Sequence, residues 1–154
     1  MNKWFLVVVS YTKEYRDGTL KRVSEHYLLN AVSFMDAEKK IYEEVGETVR
    51  GEFVVKDIKK KPVEDIFLYE DSENMFELKV KYIVEDADSG QEKKLVKLFI
   101  VEAKDIIEAC QRFKEMMSGA MSCFTITAVS VSKIEQIFTT EGFQYEIEEV
   151  ESVN

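Results

Sequence analysis

The stretch YLLNAVSFMDAEKKIYE, Tyr27 to Glu43, decides the fold, because its pattern returns 72 residues later as FIVEAKDIIEACQRFKE, Phe99 to Glu115. Size or chemistry is kept at Tyr27/Phe99, Leu29/Val101, Ala31/Ala103, Ser33/Asp105, Asp36/Glu108, Ala37/Ala109 and Ile41/Phe113. Similarity at a fixed period is the mark of a repeated supersecondary unit.

Each copy reads as a strand that runs into a capped helix. Ser33 and Asp105 stand where an N-cap oxygen takes orphan backbone N–H groups, and Asp36 and Glu108, three residues on, complete a capping box. Phe34, Ala37, Ile41 and Val45, and then Ile106, Ala109, Cys110, Phe113 and Met117, recur at helical spacing and give each helix one apolar stripe. Lys39, Lys40, Glu43 and Glu44 take the opposite face of the first helix.

Upstream, WFLVVVSY (Trp4 to Tyr11) and FELKVKY (Phe76 to Tyr82) are rich in β-branched and aromatic residues and read as matching strands. Phe5/Phe76, Val9/Val80 and Tyr11/Tyr82 mark their inward face. Asp17-Gly18 and Ser89-Gly90 tolerate positive φ and place a hairpin after each strand. Beyond the helices, Phe53 to Ile58 and Phe124 to Val131 read as a third strand. Each copy then closes on an apolar-acid-x-Ile-Phe segment, Val63-Glu64-Asp65-Ile66-Phe67 and Ile134-Glu135-Gln136-Ile137-Phe138, whose Ile-Phe pairs read as plugs of the core.

The predicted fold class is therefore α+β: an internal duplication of a ββαβ unit, with antiparallel sheet, two helices and a pseudo-twofold. A right-handed crossover returns the third strand parallel to the second, so each unit takes the strand order 2-1-3. Repeat 1 spans 1–72 and repeat 2 spans 73–138, followed by an acidic tail at 139–154 in which Phe143 to Ile147 alternates as one more strand. Units of about seventy residues are marginal alone, so a single fused domain over 1–154 is expected.

The net charge of −9 is unevenly spread. Residues 1–72 carry 12 basic and 14 acidic side chains, 73–138 carry 9 and 11, and 139–154 carry none and 5. The acidity belongs to the tail. Lys59-Lys60-Lys61 is too short a basic run for general phosphate binding, so direct nucleic-acid binding is not expected. No apolar run has the length of a membrane span and the N-terminus has no secretory pattern, so a soluble cytoplasmic protein is expected.

The chemistry-bearing residues are sparse. Cys110 and Cys123 read as buried reduced thiols, and the single histidine, His26, has no cysteine or second histidine to join it as a ligand, so neither metal nor cofactor is expected. There is no phosphate-binding glycine loop, nucleophile elbow or HExxH motif, and an enzyme is not expected. Tyr11, Tyr82, Glu64 and Glu135 are the candidates for a pocket, since paired carboxylates at a junction between repeats can divide acid and base roles. Trp4, Leu6, Val8, Val96, Leu98 and Ile100 are apolar where the other repeat is largely polar, and form a candidate interface for a homodimer or another protein.

The chain resembles a domain-of-unknown-function family widespread in Bacteroides-type bacteria and in their phages and mobile elements. The resemblance is carried by Trp4 to Tyr11, by YLLNAVSFMDAE, by GEFVV at Gly51 to Val55 and by the repeated closures ending at Phe67 and Phe138. It implies an internally duplicated protein of about 150 residues and no particular activity. The function expected is that of a non-enzymatic binding or interaction protein, an accessory factor of a phage or mobile element. An acidic decoy of a nucleic-acid-binding enzyme, and a small-ligand or enzymatic site between the repeats, are the alternatives.

Overall fold

The computed structural model describes residues 3–72, 74–119 and 123–139. The elements follow as β1 (Lys3–Glu14), β2 (Leu20–Ala31), α1 (Phe34–Thr48), β3 (Phe53–Lys60), β4 (Val63–Phe67), β5 (Asn74–Glu85), β6 (Glu92–Ala103), α2 (Ile106–Met116), β7 (Phe124–Val131) and β8 (Ile134–Phe138). The architecture is α+β, with two helices and two four-stranded sheets among the described residues. The acidic tail, with the strand expected at Phe143 to Ile147, lies outside the described residues.

The caps form as their chemistry demands. Ser33 Oγ accepts from the Asp36 N–H at 3.1 Å, and Asp105 Oδ1 accepts from the Glu108 N–H at 2.8 Å. The return bonds go one residue further out than in the usual capping box, because the Val32 and Lys104 N–H groups donate to Asp36 and Glu108 at 3.0 Å. Each helix is thus fixed to the end of the strand that precedes it. At the hairpin tips Gly18 and Gly90 take φ of +84° and +68°, a left-handed conformation that side chains with a Cβ disfavour.

The first unit holds residues 3–62 together with 133–139. Its sheet runs β3-β1-β2-β8, with β1 antiparallel to both β2 and β3. This is the strand order expected for a ββαβ unit. On one face Phe5, Val7, Val9, Tyr27, Leu29 and Ala31 meet Ala37, Ile41 and Val45 of α1. Full burial of such side chains contributes about 1.5–3 kcal/mol each. Phe34, by contrast, is half-exposed at the first turn and lies edge-on to Phe5, with ring centroids 5.0 Å apart.

The second unit holds 63–132, with sheet order β4-β6-β5-β7. Phe67, Phe76, Leu78, Val80, Tyr82, Phe99, Val101 and Ala103 meet Ala109 and Phe113 of α2. One difference from the sequence reading is topological. The segment Val63–Phe67 does not plug the unit that precedes it; it is β4, which pairs parallel with β6 of the second unit through Asp65↔Phe99, Ile66↔Ile100 and Phe67↔Val101. Likewise Ile134–Phe138 is β8, parallel to β2 of the first unit. Each closing segment thus adds its phenylalanine, Phe67 or Phe138, to the core of the unit built from the other half of the chain, while Ile66 and Ile137 stand beside Ile100 and Leu28 on the opposite sheet face.

The loop between β4 and β5 is tied to α2. Arg112 donates to Ser72 Oγ at 2.7 Å, to the Glu102 carbonyl at 2.9 Å and to both Asp71 carboxylate oxygens at 3.1 Å, with its guanidinium 3.9 Å from the centre of the Tyr69 ring. Glu102 in turn accepts from the Tyr69 N–H at 2.7 Å.

Candidate functional site

The two sheets offer the same place built in two ways, and the difference marks the candidate site. In the first unit Tyr11 and Tyr27 point to the helix-bearing face, and Glu25 stands between them on β2, opposite Val9. Glu25 Oε1 accepts from the Tyr11 hydroxyl at 2.7 Å and from the Tyr27 hydroxyl at 2.9 Å, while its other oxygen lies 3.7 Å from Lys13 Nζ. Burial, together with the bonds to Glu25, raises both phenol pKa values well above their ordinary range, and Glu135 at the β8 bulge adds its charge. Tyr11 and Tyr27 thus both have an acceptor within the first unit.

In the second unit the matching positions are Tyr82 on β5, Lys97 opposite Val80 on β6, and Phe99. Lys97 stands where the first unit has Glu25, and Phe99 where it has Tyr27. Lys97 Nζ turns to Glu64 Oε1 at 3.3 Å, an ion pair whose side chains are 39% and 48% exposed, so it contributes little stability. The Tyr82 hydroxyl has no hydrogen-bond partner among the described residues although the residue is only 2% exposed. Burial, and then the charge of Glu64, raise its pKa.

A pocket of ≈ 170 Å³ opens at this place. Tyr82, Lys97, Glu64 and Asp65 supply its polar lining, and Val84, Leu95, Phe99 and Met117 its apolar walls. Asp65 is half-buried; burial raises its carboxyl pKa, the Ile66 N–H donated to its Oδ1 at 2.8 Å pulls the other way, and the neighbouring Glu64 charge raises it again. The volume is close to the ~150 Å³ of an apolar cavity able to take up benzene. It suits a small ligand with an apolar body and charged ends.

Of the four pocket residues expected from sequence, Tyr82 and Glu64 line this pocket, and Tyr11 and Glu135 occupy the corresponding place in the first unit. Lys97, Asp65 and Glu25 were missed. Their signal was a charged residue at 25 and at 97, on the same side of the strand as Tyr27 and Phe99. Of the six interface candidates, Leu6 and Ile100 are buried within the chain, Trp4, Val8 and Leu98 are half-buried, and Val96 is 64% exposed. The thiols differ from expectation: Cys110 is half-buried and Cys123 is exposed, since Cys123 precedes β7 and has no place in a core.

Among the described residues no group of three or more histidine, cysteine or carboxylate side chains is placed to hold a metal ion. No helix of the described residues is long and apolar enough to cross a membrane.

Residues 3–140 match the family model described as a domain of unknown function, DUF4494. The chain belongs to the DUF4494 family. No curated protein and no solved structure matches the chain.

Proposed function

We propose that this DUF4494 chain is a non-enzymatic binding protein, built by duplication of a ββαβ unit, in which the second copy keeps open a small-ligand site that the first copy closes with its own side chain. One observation carries the reading: at the place where the first unit seats the Glu25 carboxylate between Tyr11 and Tyr27, the second has a pocket lined by Tyr82, Lys97, Glu64 and Asp65. A charge reversal from Glu25 to Lys97 on a core-facing position is what opened the site in this reading.

The test is a protein-observed NMR screen of the full chain with benzene-sized probes of positive, negative, neutral and mixed charge. Binding is expected to move the ring resonances of Tyr82 and Phe99 and to leave those of Tyr11 and Tyr27 in place. No response at Tyr82, or an equal response at both places, argues against the reading.

A second reading is association with another protein or a second copy, in the setting of a phage or mobile element and in the cytoplasm. The exposed Val96 favours it, because it continues the apolar line of Leu98 and Ile100 on one face of β6, and a contiguous apolar patch marks an interaction surface where a lone residue does not. Sedimentation tests this: a Val96→Lys change abolishes a dimer that uses this face and leaves a monomer unaltered.

A further inference from the structure

Among the described residues four strands stand at sheet edges, β3 and β8 in the first sheet and β4 and β7 in the second. An edge strand presents unpaired N–H and C=O groups, and charged side chains, shortness or a bulge keep another strand from adding to it. β4 and β8 are five residues long and carry Glu64, Asp65 and Glu135. β3 is eight residues long and carries Lys56, Asp57, Lys59 and Lys60. β7 has the length of β3, and its sequence FTITAVSV holds no charge at all.

The two long edges are otherwise built alike. Each is antiparallel to the first strand of its hairpin, and each has a bulge at the same place, at Lys56 in β3 and at Thr127 in β7. At an offset of 71 residues, Thr127, Ala128, Ser130 and Val131 stand where β3 has its four charged residues. All four are exposed, Val131 at 61%. The Thr127 hydroxyl donates inward, to the Lys79 carbonyl of β5 at 3.1 Å, and β5 is the one strand that pairs with β7 among the described residues.

We infer that β7 is a docking edge for β7 of a second copy of this chain, the two strands pairing antiparallel across a twofold axis. Full overlap of two antiparallel copies puts the axis between Thr127 and Ala128, where the side chains are small, and sets Val131 of each copy opposite Phe124 of the other. These two residues share a face of β7, since they stand opposite Phe76 and Tyr82 of the core beneath α2. Residues directly opposite in such a pair have their side chains in contact, so the exposed valine gains an aromatic neighbour at both ends of the seam. A second copy suits this edge better than a foreign charged peptide, because β7 offers no charge to attract one and its own two ends are complementary. The seam joins two four-stranded sheets into one and involves neither the pocket nor Val96, so it stands or falls apart from the ligand site.

The experiment combines sedimentation velocity of the full chain, from micromolar to millimolar concentration, with amide hydrogen exchange. A reversible dimer is expected, with exchange at the outward N–H groups of β7 slowing as the concentration rises while exchange in β3 stays the same. Ala128→Glu places a carboxylate opposite Lys79 in its own sheet, and close to its own copy at the axis. It is expected to keep the thermal midpoint of the parent and to weaken dimerisation about fivefold, since like charges opposed across strands destabilise the pair. Mixing it with Ala128→Lys is expected to restore association, because the mixed pair sets opposite charges at the axis. A chain that stays monomeric at millimolar concentration overturns the proposal. A dimer that Ala128→Glu leaves as tight, or one in which β7 exchange is indifferent to concentration, overturns it too by placing the contact elsewhere. The exchange comparison uses the parent chain alone, and decides the matter if Ala128→Glu fails to fold.

Discussion

The Tyr11 hydroxyl donates to Glu25 Oε1 at 2.7 Å, and the residue that stands in the place of Glu25 in the second sheet is Lys97. The first sheet fills this place with a polar cluster, whereas the second has a pocket there lined by Lys97 and Phe99 among others. The asymmetry is energetic as well as chemical. Glu25 satisfies two phenols at once, so Glu25→Ala leaves both Tyr11 and Tyr27 without an acceptor. The expected loss is about 2 kcal/mol, because unpaired buried donors cost more than the bond they gave up. Chemical denaturation of the full chain measures it.

Asp65 gives a pH signature of the second unit. Burial and the Glu64 charge raise its carboxyl pKa in the folded chain above the unfolded value. A group shifted this way contributes most below its unfolded pKa, and its contribution is lost as pH rises through the folded pKa. At neutral pH the ionised Asp65 is therefore a standing cost. Asp65→Asn keeps an acceptor for the Ile66 N–H and removes the charge. The variant is expected to be more stable than the parent at pH 7, with the difference closing as the pH falls below about 4, the ordinary carboxylate range. Denaturation midpoints at several pH values read it directly.

Arg112 ties Asp71 and Ser72 to the helix end of β6 with a side chain only 12% exposed. Arg112→Ala strips partners from several groups at once and is expected to cost about 2–3 kcal/mol. Arg112→Lys keeps one charge but not the planar fork that reaches Ser72, Asp71 and the Glu102 carbonyl together. It is expected to speed amide exchange at Tyr69 and Ser72 while sparing the β5–β6 pairing. Hydrogen exchange followed by mass spectrometry separates these two effects.

Much of the fold was legible because each local choice agreed with the next. Ser33 and Asp105 fixed both helix starts, Gly18 and Gly90 fixed both hairpin tips, and the apolar spacing at Ala37, Ile41 and Val45 chose the buried helix face. The destination of β4 and β8 was not legible. A five-residue segment such as Val63–Phe67 carries no feature that names its partner sheet, and parallel pairing has no hairpin to fix it. The pocket was half legible. Tyr82 and Glu64 stood out as repeated residues, but Lys97 gains meaning only once the register sets it across from Val80, where Glu25 is set across from Val9.

The most direct measurement compares Tyr11→Phe with Tyr82→Phe in the ligand-free chain. Each change removes one hydroxyl and leaves the ring. At Tyr11 it also removes a charge-assisted hydrogen bond to Glu25, and the expected loss is about 1–2 kcal/mol. At Tyr82 no bond to the protein is lost, so the variant is expected to match the parent within about 0.5 kcal/mol or to exceed it. A loss at Tyr82→Phe equal to that at Tyr11→Phe would mean that the Tyr82 hydroxyl is already satisfied, and would contradict the account.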